Sequence, residues 1–324
     1  MTATAGGLQT TEKAVEVRKP RALRKGSVLM PFAPASPADF AKVNAGADEL
    51  RRLGFQVGDA TPLMPEDFFA GPAAARRSEF VNEVSRDDVD GLVAVRGGYG
   101  SNYILDDLAV GEAERPRVIL GYSDLTSLYI FLWMRYRWVG FYGPMLAAGF
   151  DAGAGVAKGY DKESLLAAAG QTNGGWTLNL RGESLVRGEA EGRILGGCLT
   201  MVQTTLGTPW ELDTRGAVLL LEDRGMKPWQ VDRALMHLKQ AGKFEDVRGF
   251  VLGDFPECEA PMAGSPSVRE VCLRILGPLG VPIVFGAPVG HTLRPMLTVP
   301  LGVRARLKAE GGGELEFLEP AVVA

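Results

Sequence analysis

Residues 117–133 constrain the fold of this chain more than any other stretch. Residues 118–120 form a short apolar run, rich in β-branched side chains, that is typical of a buried strand, and Gly121 ends it. Ser123 and Asp124 follow, and a longer apolar segment typical of a helix comes after them. The pattern therefore predicts a strand, a sharp turn and a helix, with Ser123 at the carboxyl edge of a sheet.

Ser123 has two interpretations in such a turn. As a nucleophile, it would lie beside the free N–H groups of a helix N-terminus, which can stabilise an oxyanion. As a structural residue, it would cap the helix, because serine and aspartate are preferred N-cap residues. The usual nucleophile elbow has a small residue two positions after the serine, whereas this chain has Leu125. If Ser123 is a nucleophile, we expect a fold other than the standard α/β-hydrolase.

Strands and helices are predicted to alternate through the first half of the chain. The strands are expected at residues 27–30, 55–57, 91–95 and 118–120. The helices between them are expected from a cap at Ser36 to Gly54, and over residues 73–84 and 102–108. This alternation predicts an α/β fold with a mostly parallel sheet that helices cover on both faces.

Composition divides the chain into four parts. Residues 1–25 are polar and charged and are interpreted as a flexible tail, and residues 26–150 as an N-terminal α/β domain. Residues 151–190, rich in Gly, Ala and polar residues, are interpreted as a linker with one short helix near residues 162–169. Residues 191–324 are a second region, with strands predicted at 217–221, 250–252 and 282–285, helices at 228–238 and 268–276, and a hairpin within 297–320.

The bulk properties argue against several classes of function. The net charge is −4 and no basic block occurs, so a nucleic-acid partner is not expected. The three cysteines show no C-x-x-C spacing and no H-E-x-x-H motif occurs, so neither a disulfide framework nor a metal site is predicted. Residues 1–25 contain no apolar core of a secretion signal, and the apolar run at 128–134 is too short to span a bilayer. We therefore expect a cytoplasmic protein without a membrane partner or a cofactor.

Only two histidines are available as the general base for a serine nucleophile. His237 lies inside a predicted helix, an ordinary structural position. His291 follows a predicted strand in a Gly- and Pro-rich loop, where functional groups are often displayed, and is the favoured candidate. The carboxylate that orients the imidazole is expected to be Glu222 or Asp223, which end a buried strand, with Asp254 as a further candidate.

A glycine-rich loop, Arg96-Gly-Gly-Tyr-Gly100, follows another predicted strand. Open α/β sheets bind ligands at the carboxyl ends of their parallel strands. The loop lacks the Lys-Ser/Thr pair of a P-loop and does not match G-x-G-x-x-G, but its glycines would let backbone N–H groups approach a ligand closely. A tight strand-to-helix turn is the structural alternative.

Taken together, these segments resemble the LD-carboxypeptidase family, which includes muramoyltetrapeptide carboxypeptidases and microcin C immunity peptidases. The matching motifs extend over about residues 27 to 305 in the family's order. They are Arg96-Gly-Gly-Tyr-Gly100, Gly121-Tyr-Ser-Asp124, Gly196-Gly197, Leu206-Gly-Thr-Pro209, Leu221-Glu-Asp223 with Asp232-Arg233, and Gly290-His-Thr292 with Leu297-Thr-Val-Pro-Leu-Gly302. No single motif is decisive, whereas the ordered set is specific.

The resemblance implies a serine peptidase with a Ser-Glu-His triad. Matched motif by motif, Ser123 is the expected nucleophile, Glu222 the orienting carboxylate and His291 the general base. The backbone N–H groups of Gly98 and Asp124 are the expected oxyanion hole. The resemblance also implies an N-terminal α/β domain that carries the serine, a smaller C-terminal α/β domain that has a β-rich swivelling-type sheet and carries the other two triad residues, and a homodimer.

The resemblance further implies release of a terminal D-amino acid, D-Ala, from cytoplasmic muropeptide tetrapeptides in cell-wall recycling. A carboxypeptidase needs a cation for the terminal carboxylate of its substrate. Arg96 is our candidate, with Tyr99 next to it in the substrate-binding loop, because Arg96 ends the strand beside the expected oxyanion loop. The structural alternative is that Arg96 pairs with a nearby carboxylate.

Two other functions stay open from the sequence. A peptidase of the same fold would cleave peptidyl- or aminoacyl-nucleotides, with Trp176 or another aromatic residue stacking on the base. A more distant alternative is a non-catalytic ligand-binding protein in which Ser123 only caps a helix. The chain also departs from the family at two positions: the family commonly has Asn where Cys198 stands, and an acidic or polar residue where Leu293 stands. The second departure could change what the pocket accepts.

Overall fold

The structure, a computed structural model, describes residues 16–60, 63–110 and 115–324. The strands in chain order are β1 (Val28–Phe32), β2 (Gln56–Val57), β3 (Gly91–Ala94), β4 (Val118–Gly121), β5 (Gly140–Tyr142), β6 (Trp176–Asn179), β7 (Glu183–Val186), β8 (Gly188–Cys198), β9 (Ala217–Glu222), β10 (Gly249–Gly253), β11 (Ile283–Ala287), β12 (Val299–Leu301), β13 (Arg304–Ala309) and β14 (Glu314–Phe317). The α-helices are α1 (Phe40–Arg52), α2 (Ala73–Ser85), α3 (Thr126–Tyr136), α4 (Lys162–Gly170), α5 (Leu199–Thr204), α6 (Pro228–Gln240) and α7 (Val268–Leu276). Short 3₁₀ turns cover Ser101–Ile104, Ser123–Leu125 and Gly277–Leu279.

The first sheet has the strand order β2-β1-β3-β4-β5-β12. Strands β1 to β5 are parallel, and β12 joins the edge antiparallel to β5. Every residue of β3 and β4 is buried, as expected for strands of a parallel sheet with both faces covered. The predicted α/β fold with a mostly parallel first sheet is confirmed.

The second sheet has the order β6-β14-β13-β8-β9-β10-β11-β7. Its central strands β8 to β11 are parallel, and the strands that flank them pair antiparallel. All residues of β9 and β10 are buried, which explains their apolar sequences. The second α/β region is confirmed, although its sheet has eight strands against six in the first and is not the smaller of the two.

The range 151–190 is more than the predicted linker. Its short helix is confirmed as α4, but β6 and β7 also lie within it and belong to the second sheet. Both are edge strands, and most of their residues are only partly buried or exposed. Their sequences therefore lack the apolar run that reveals a central strand. The long strand β8 was not predicted, because its glycines interrupt the apolar pattern. The helix expected over 102–108 is only the 3₁₀ turn Ser101–Ile104.

The prediction of a flexible tail over residues 1–25 is wrong for its second part. Residues 16–25 pack against the body of the protein: Ala22 and Leu23 are buried, and the Ala22 N–H donates to the Val323 carbonyl at 2.8 Å. These apolar side chains are covered and backbone groups are paired, so the segment is part of the fold. The rest of the predicted tail, residues 1–15, lies outside the described residues.

Helix α1 begins later than its predicted cap at Ser36. It starts at Phe40, and the carboxylate of Asp39 caps it by accepting from the Ala41 N–H at 2.8 Å. The Ser36 hydroxyl instead accepts from the Tyr99 N–H at 3.1 Å. Ser36 therefore holds the glycine-rich loop at residues 96–100 and does not cap the helix.

One of the two hydrophobic clusters joins the two sheets. A continuous cluster of buried apolar side chains includes Ile119 and Phe141 from the first sheet and Val218 and Leu220 from the second. Strand β12, which follows the second sheet's parallel strands in the chain, returns to the first sheet. The carboxyl ends of β3, β4, β9 and β11 are thereby held at one cavity, described below.

Two further observations concern the lengths of the helices and the state of the cysteines. None of the helices in the described ranges is both long and apolar enough to cross a membrane. Cys198, Cys258 and Cys272 are buried free thiols. Cys272 packs within a cluster of apolar side chains, and burial raises the pKa of Cys258 to about 11 and of Cys272 to about 12.

The shared core predicts a large cost for truncating Leu220. This side chain is fully buried on β9, between Gly196 of β8 and Val251 of β10. Leu220→Ala is expected to lower the free energy of unfolding by about 2–5 kcal/mol, because it removes buried methyl groups and leaves a cavity. The measurement is a denaturant titration, with Leu166→Ala on α4 as the matched control because Leu166 is 42% exposed. Equal losses in the two variants would contradict the core assignment.

Candidate active site

Ser123 lies in the turn between β4 and α3. Strand β4 ends at Gly121, and Ser123 opens the 3₁₀ turn that continues into the helix. Its φ of +66° is a left-handed conformation that non-glycine residues rarely adopt and that serines on sharp strand-to-helix turns do. A Cβ at Gly121 would lie 2.4 Å from Leu125 Cδ2, so Leu125 fills the space beneath a turn that needs glycine there. The predicted strand, turn and helix are confirmed.

Glu222 and His291 form a hydrogen-bonded pair. Glu222 is the last residue of β9 and is fully buried. Its Oε2 accepts from the backbone N–H of His291 at 2.8 Å and from His291 Nδ1 at 2.8 Å. Because an ionised carboxylate can only accept, Nδ1 must carry a hydrogen, and in the neutral imidazole Nε2 is then the nitrogen with a free lone pair. This is the tautomer that a general base requires.

Gly290 lets the loop after β11 press against that carboxylate. Its φ is +61°, and a Cβ there would lie 2.4 Å from the carboxyl carbon of Glu222. Any side chain would push His291 away from its partner. The glycine before the histidine is therefore required by this contact.

Two effects act in opposite directions on the pKa of His291. Burial lowers it, while the charge and hydrogen bond of Glu222, helped by the charge of Asp223, raise it. The raising effects are larger together, so the pKa of His291 lies above its ordinary value of 6.5. The imidazolium form is thus stabilised beside the carboxylate, as it must be in a base that takes a proton during a reaction.

The other candidate carboxylates have different partners. Asp223 Oδ2 accepts from the Thr200 hydroxyl at 2.6 Å and the Thr200 N–H at 2.9 Å. Asp254 pairs with Arg294 and accepts from the Thr292 hydroxyl. Of the three carboxylates considered from the sequence, Glu222 is the one that holds the imidazole.

Tyr142 is a member of this network that the sequence did not predict. Its hydroxyl donates to Glu222 Oε1 at 2.5 Å and accepts from the backbone N–H of Ser123 at 3.2 Å. Strand β5, which carries it, has only three residues and was not predicted. The apolar run at 138–142 was the available signal, but it gives no hint that the tyrosine faces a carboxylate 80 residues away in the chain.

Ser123 and His291 line one cavity of about 680 Å³. Gly98, Asp124 and Arg96 also line it, so five of the seven sequence-predicted site residues border one space. Glu222 lies behind His291. A second cavity of about 440 Å³ adjoins it through shared lining residues that include His291, and its own lining includes Lys158 and Leu293.

The glycine-rich loop is held at the cavity by Ser36. The Ser36 N–H donates to the Gly97 carbonyl at 3.3 Å, and its hydroxyl accepts from the Tyr99 N–H. Gly98 has a φ of +108°, and a Cβ there would lie 2.4 Å from Ser36 Oγ. Only glycine allows this approach, which favours a backbone role for the residue.

Asp124 ties the serine turn to the same loop. Its Oδ2 accepts from the Ser101 N–H at 2.8 Å, and its carbonyl accepts from the Ser101 hydroxyl at 2.6 Å. Burial raises the pKa of this carboxyl, although the bonds from Ser101 and Gly100 and the charge of Arg76 act in the opposite direction. The side chain of Asp124 is thus committed to structure, and its backbone N–H remains the predicted oxyanion donor.

The two candidate substrate-binding residues differ in placement. Arg96 lines the cavity, and its Nη1 donates to the Pro37 carbonyl at 3.2 Å. Among the described residues no carboxylate forms an ion pair with Arg96, so the proposed structural pairing is not found. The ring of Tyr99 packs against Phe69 and Tyr103, with centroids 5.8 Å away in both cases, and is not among the cavity-lining residues. The structure therefore does not bring the Tyr99 side chain to the site.

Two further residues considered from the sequence lie away from the cavity. The ring of Trp176 stacks on Phe317 across β6 and β14, with centroids 4.2 Å apart. His237 lies on α6, where its Nδ1 is 2.9 Å from Gln203 Nε2. Neither residue borders the cavity that Ser123 and His291 share.

Both departures from the family pattern lie at the cavities. Cys198 lines the first one, with its Sγ 3.5 Å from Asp223 Oδ2, and burial together with nearby carboxylates keeps the pKa of this thiol well above its ordinary value. Leu293 lines the second and is 58% exposed. In the described part of the chain, no group of three or more His, Cys, Asp or Glu side chains is arranged to hold a metal ion.

Comparisons with known proteins show the family of this chain. Sequence models of the LD-carboxypeptidase N-terminal and C-terminal domains match residues 31–143 and 191–307. A protein of Bacillus subtilis named as a probable murein peptide carboxypeptidase is 33% identical, over 89% of this chain and 91% of its own length. The microcin C7 self-immunity protein of Escherichia coli is 27% identical, over 87% of this chain and 90% of its own length.

Solved structures show the same fold. The crystal structure of a muramoyltetrapeptide carboxypeptidase from Oxalobacter formigenes matches with a TM-score of 0.79 and 25% identity, over 91% of this chain and 99% of that one. The microcin C7 self-immunity protein in complex with glutamyl sulfamoyl guanosine matches with a TM-score of 0.82 and 23% identity, over 94% of this chain and 99% of that one. The chain therefore belongs to the LD-carboxypeptidase family and is a hydrolase of the carboxypeptidase class.

Proposed function

We propose that this protein is a serine-type LD-carboxypeptidase that releases D-Ala from muropeptide tetrapeptides. The observation that carries the proposal is the pair of hydrogen bonds that His291 donates to Glu222, at the cavity that Ser123 also lines. It supports a triad, because the bond at Nδ1 leaves Nε2 as the base. The names of the Bacillus and Oxalobacter relatives support the substrate class. A cytoplasmic location, a role in peptidoglycan recycling and a homodimer belong to the same proposal.

The reaction begins with proton transfer from the Ser123 hydroxyl to His291 Nε2. The Ser123 oxygen attacks the carbonyl carbon of the amide between the L-centre and the terminal D-amino acid, and an oxyanion forms. The backbone N–H groups of Gly98 and Asp124 stabilise it, each by up to about 3–4 kcal/mol in the transition state. His291 then gives its proton to the leaving amine, and D-Ala departs.

The second half of the reaction releases the acyl group. Water enters the position that D-Ala has left, and His291 accepts a proton from it. The hydroxide attacks the ester carbon on Ser123, and the proton returns to the serine oxygen as the tripeptide leaves. Throughout both steps Glu222 stabilises the imidazolium without taking the proton.

Arg96 is the proposed binding residue for the terminal carboxylate. It lines the cavity, and its hydrogen bond to the Pro37 carbonyl leaves its other nitrogens for a ligand. A guanidinium can bind a carboxylate with two parallel hydrogen bonds, which fixes the end of the peptide. The free carboxylate would then be a requirement for cleavage.

Two alternative functions are separated by substrate choice. The Escherichia coli relative supports cleavage of a peptidyl- or aminoacyl-nucleotide, but the stacking of Trp176 on Phe317 speaks against that residue as a base-stacking platform here. A ligand-binding protein without catalysis would leave Ser123 as a structural turn residue. Both alternatives predict no release of D-Ala.

The first test is mass spectrometry of a muramoyl-tetrapeptide incubated with wild type and Ser123→Ala. Wild type is expected to remove one D-Ala, and Ser123→Ala to be slower by about 10⁴-fold or more, because the nucleophile is lost. Ser78→Ala, at an exposed position on α2, is the matched control and is expected to stay within a few-fold of wild type. If folded wild type releases no D-Ala, acyl-adenylates are the next substrate. Equal release by Ser123→Ala would exclude Ser123 as nucleophile.

The raised pKa of His291 predicts the pH dependence. Nε2 must be unprotonated to accept the serine proton, so kcat/KM is expected to fall as pH decreases through a value above 6.5. Glu222→Gln removes the charge that raises this pKa, so its acid limb is expected at lower pH, with kcat reduced by about 10³–10⁴. Glu314→Gln, at an exposed position on β14, is the control and should leave the limb in place. A limb that stays fixed in Glu222→Gln would contradict the assignment.

Arg96→Lys tests the carboxylate site. The variant keeps the charge but loses the two parallel hydrogen bonds, so kcat/KM is expected to fall about tenfold or more. Wild type is expected to lose a similar factor when the tetrapeptide ends in an amide, whereas Arg96→Lys should lose little more. Arg135→Lys, at an exposed position on α3, is the matched control. Unchanged kcat/KM in Arg96→Lys would overturn this role.

A further inference from the structure

Tyr142 connects the two ends of the proposed triad. Tyr142 lies on β5, beside β4. It pairs in register with Gly121, which comes two positions before Ser123. The side chain is fully buried and reaches from the first sheet to the last residue of β9 in the second. One hydroxyl thus contacts the backbone of the nucleophile and the carboxylate that holds the base.

The direction of these two hydrogen bonds follows from chemistry. The Ser123 backbone N–H can only donate, and an ionised Glu222 can only accept. The Tyr142 hydroxyl must therefore accept from Ser123 and donate to Glu222. Burial, reinforced by the charge of Glu222, raises the pKa of Tyr142 well above its ordinary value, so the hydroxyl keeps the hydrogen that it donates.

We infer that Tyr142 is a positioning residue, whose hydroxyl aligns the Ser123 backbone and the Glu222 carboxylate for the same reaction. The inference rests on the proposed function, because it assigns a part in that mechanism. With Oε1 committed to Tyr142, Oε2 is left for the two N–H groups of His291. The carboxylate is thereby fixed at both oxygens, and the imidazole has one orientation.

The same hydroxyl supports the strained conformation of Ser123. A non-glycine residue with φ of +66° is held by its surroundings, and here the N–H of that residue has a buried partner. Because this N–H is engaged by Tyr142, it does not point at the substrate. The oxyanion is therefore left to the N–H groups of Gly98 and Asp124.

The chain offers a matched control in Tyr129. Tyr129 is also buried, and its hydroxyl oxygen lies 3.0–3.1 Å from the carbonyl oxygens of Ile119, Gly121 and Phe141, which share its one hydrogen. Its ring packs against the Tyr142 ring, with centroids 6.3 Å apart, but its hydroxyl has no hydrogen bond to a triad residue among the described residues. Tyr129→Phe, on α3, and Tyr142→Phe, on β5, each remove one buried hydroxyl at the first sheet. A purely structural effect would appear in both variants.

The test is an NMR titration of the histidine rings, supplemented by kinetics. Only two histidines exist, and the spectrum of His291→Gln identifies the His291 signal. Tyr142→Phe is expected to raise the pKa of His291, because Glu222 loses a hydrogen bond that disperses its charge and therefore attracts the imidazolium more strongly. The other charged groups that face His291, namely Asp223, Arg224 and Glu257, and the adjacent Tyr122 ring are unchanged. The variant is also expected to lower kcat by about ten- to a hundredfold, the size of one hydrogen bond to a charged group, with KM within about twofold.

The outcomes separate the inference from the proposed function. A His291 pKa that rises in Tyr142→Phe and stays constant in Tyr129→Phe supports the inference; equal titration in wild type and both variants overturns it. Should Tyr142→Phe fail to fold, 3,5-difluorotyrosine at position 142 keeps the shape and is a stronger donor, so the pKa of His291 is expected to fall. An unchanged pKa there also overturns the inference. Wild type that releases no D-Ala contradicts the proposed function, whatever the titration shows.

Discussion

The fully buried carboxylate of Glu222 determines the geometry around it. Removing a carboxylate from water is costly unless its oxygens accept hydrogen bonds, and here three donors surround it: the Tyr142 hydroxyl and the two N–H groups of His291. These donors come from the first sheet and from the loop after β11, so one charge connects both sheets to the histidine. The space it occupies also requires glycine at Gly253 and Gly290, where a Cβ would lie 2.4 Å from Glu222 atoms.

The proposed functional side chains follow parallel strands in the same way. Arg96 follows β3, Ser123 follows β4, Asp223 follows β9 and His291 lies beyond β11, so each comes shortly after a parallel strand. Because parallel strands of a sheet end at the same edge, residues far apart in sequence meet at one cavity. The two sheets present these edges to each other, which places a serine from one opposite a histidine from the other.

The strand pattern predicted that these residues lie at strand ends, because buried parallel strands have a strong signal, and the family resemblance singled out Glu222 among the candidate carboxylates. The strands predicted before Ser123, Glu222 and His291 end within one or two residues of the observed ends of β4, β9 and β11. The prediction is incomplete where the signal is weak: β6 and β7 are edge strands with mixed polarity, and β5 is three residues long. It also placed Tyr99 at the site from its position in the loop, although a residue's direction depends on contacts such as those with Phe69. Tyr142 was missed because its role depends on a partner that only the fold brings near.

The position of strand β12 limits where the chain can be divided into two fragments. Val299–Leu301 comes from the C-terminal half but covers the edge of β5 in the first sheet, and Pro300 has no N–H with which to extend that sheet. A fragment that ended in the 151–190 range would expose the edge of β5 and lose the strand that covers it. Chimeras that exchange halves between relatives would therefore need to keep β12 with the N-terminal half, so the natural boundary for recombination is not a single point in the chain.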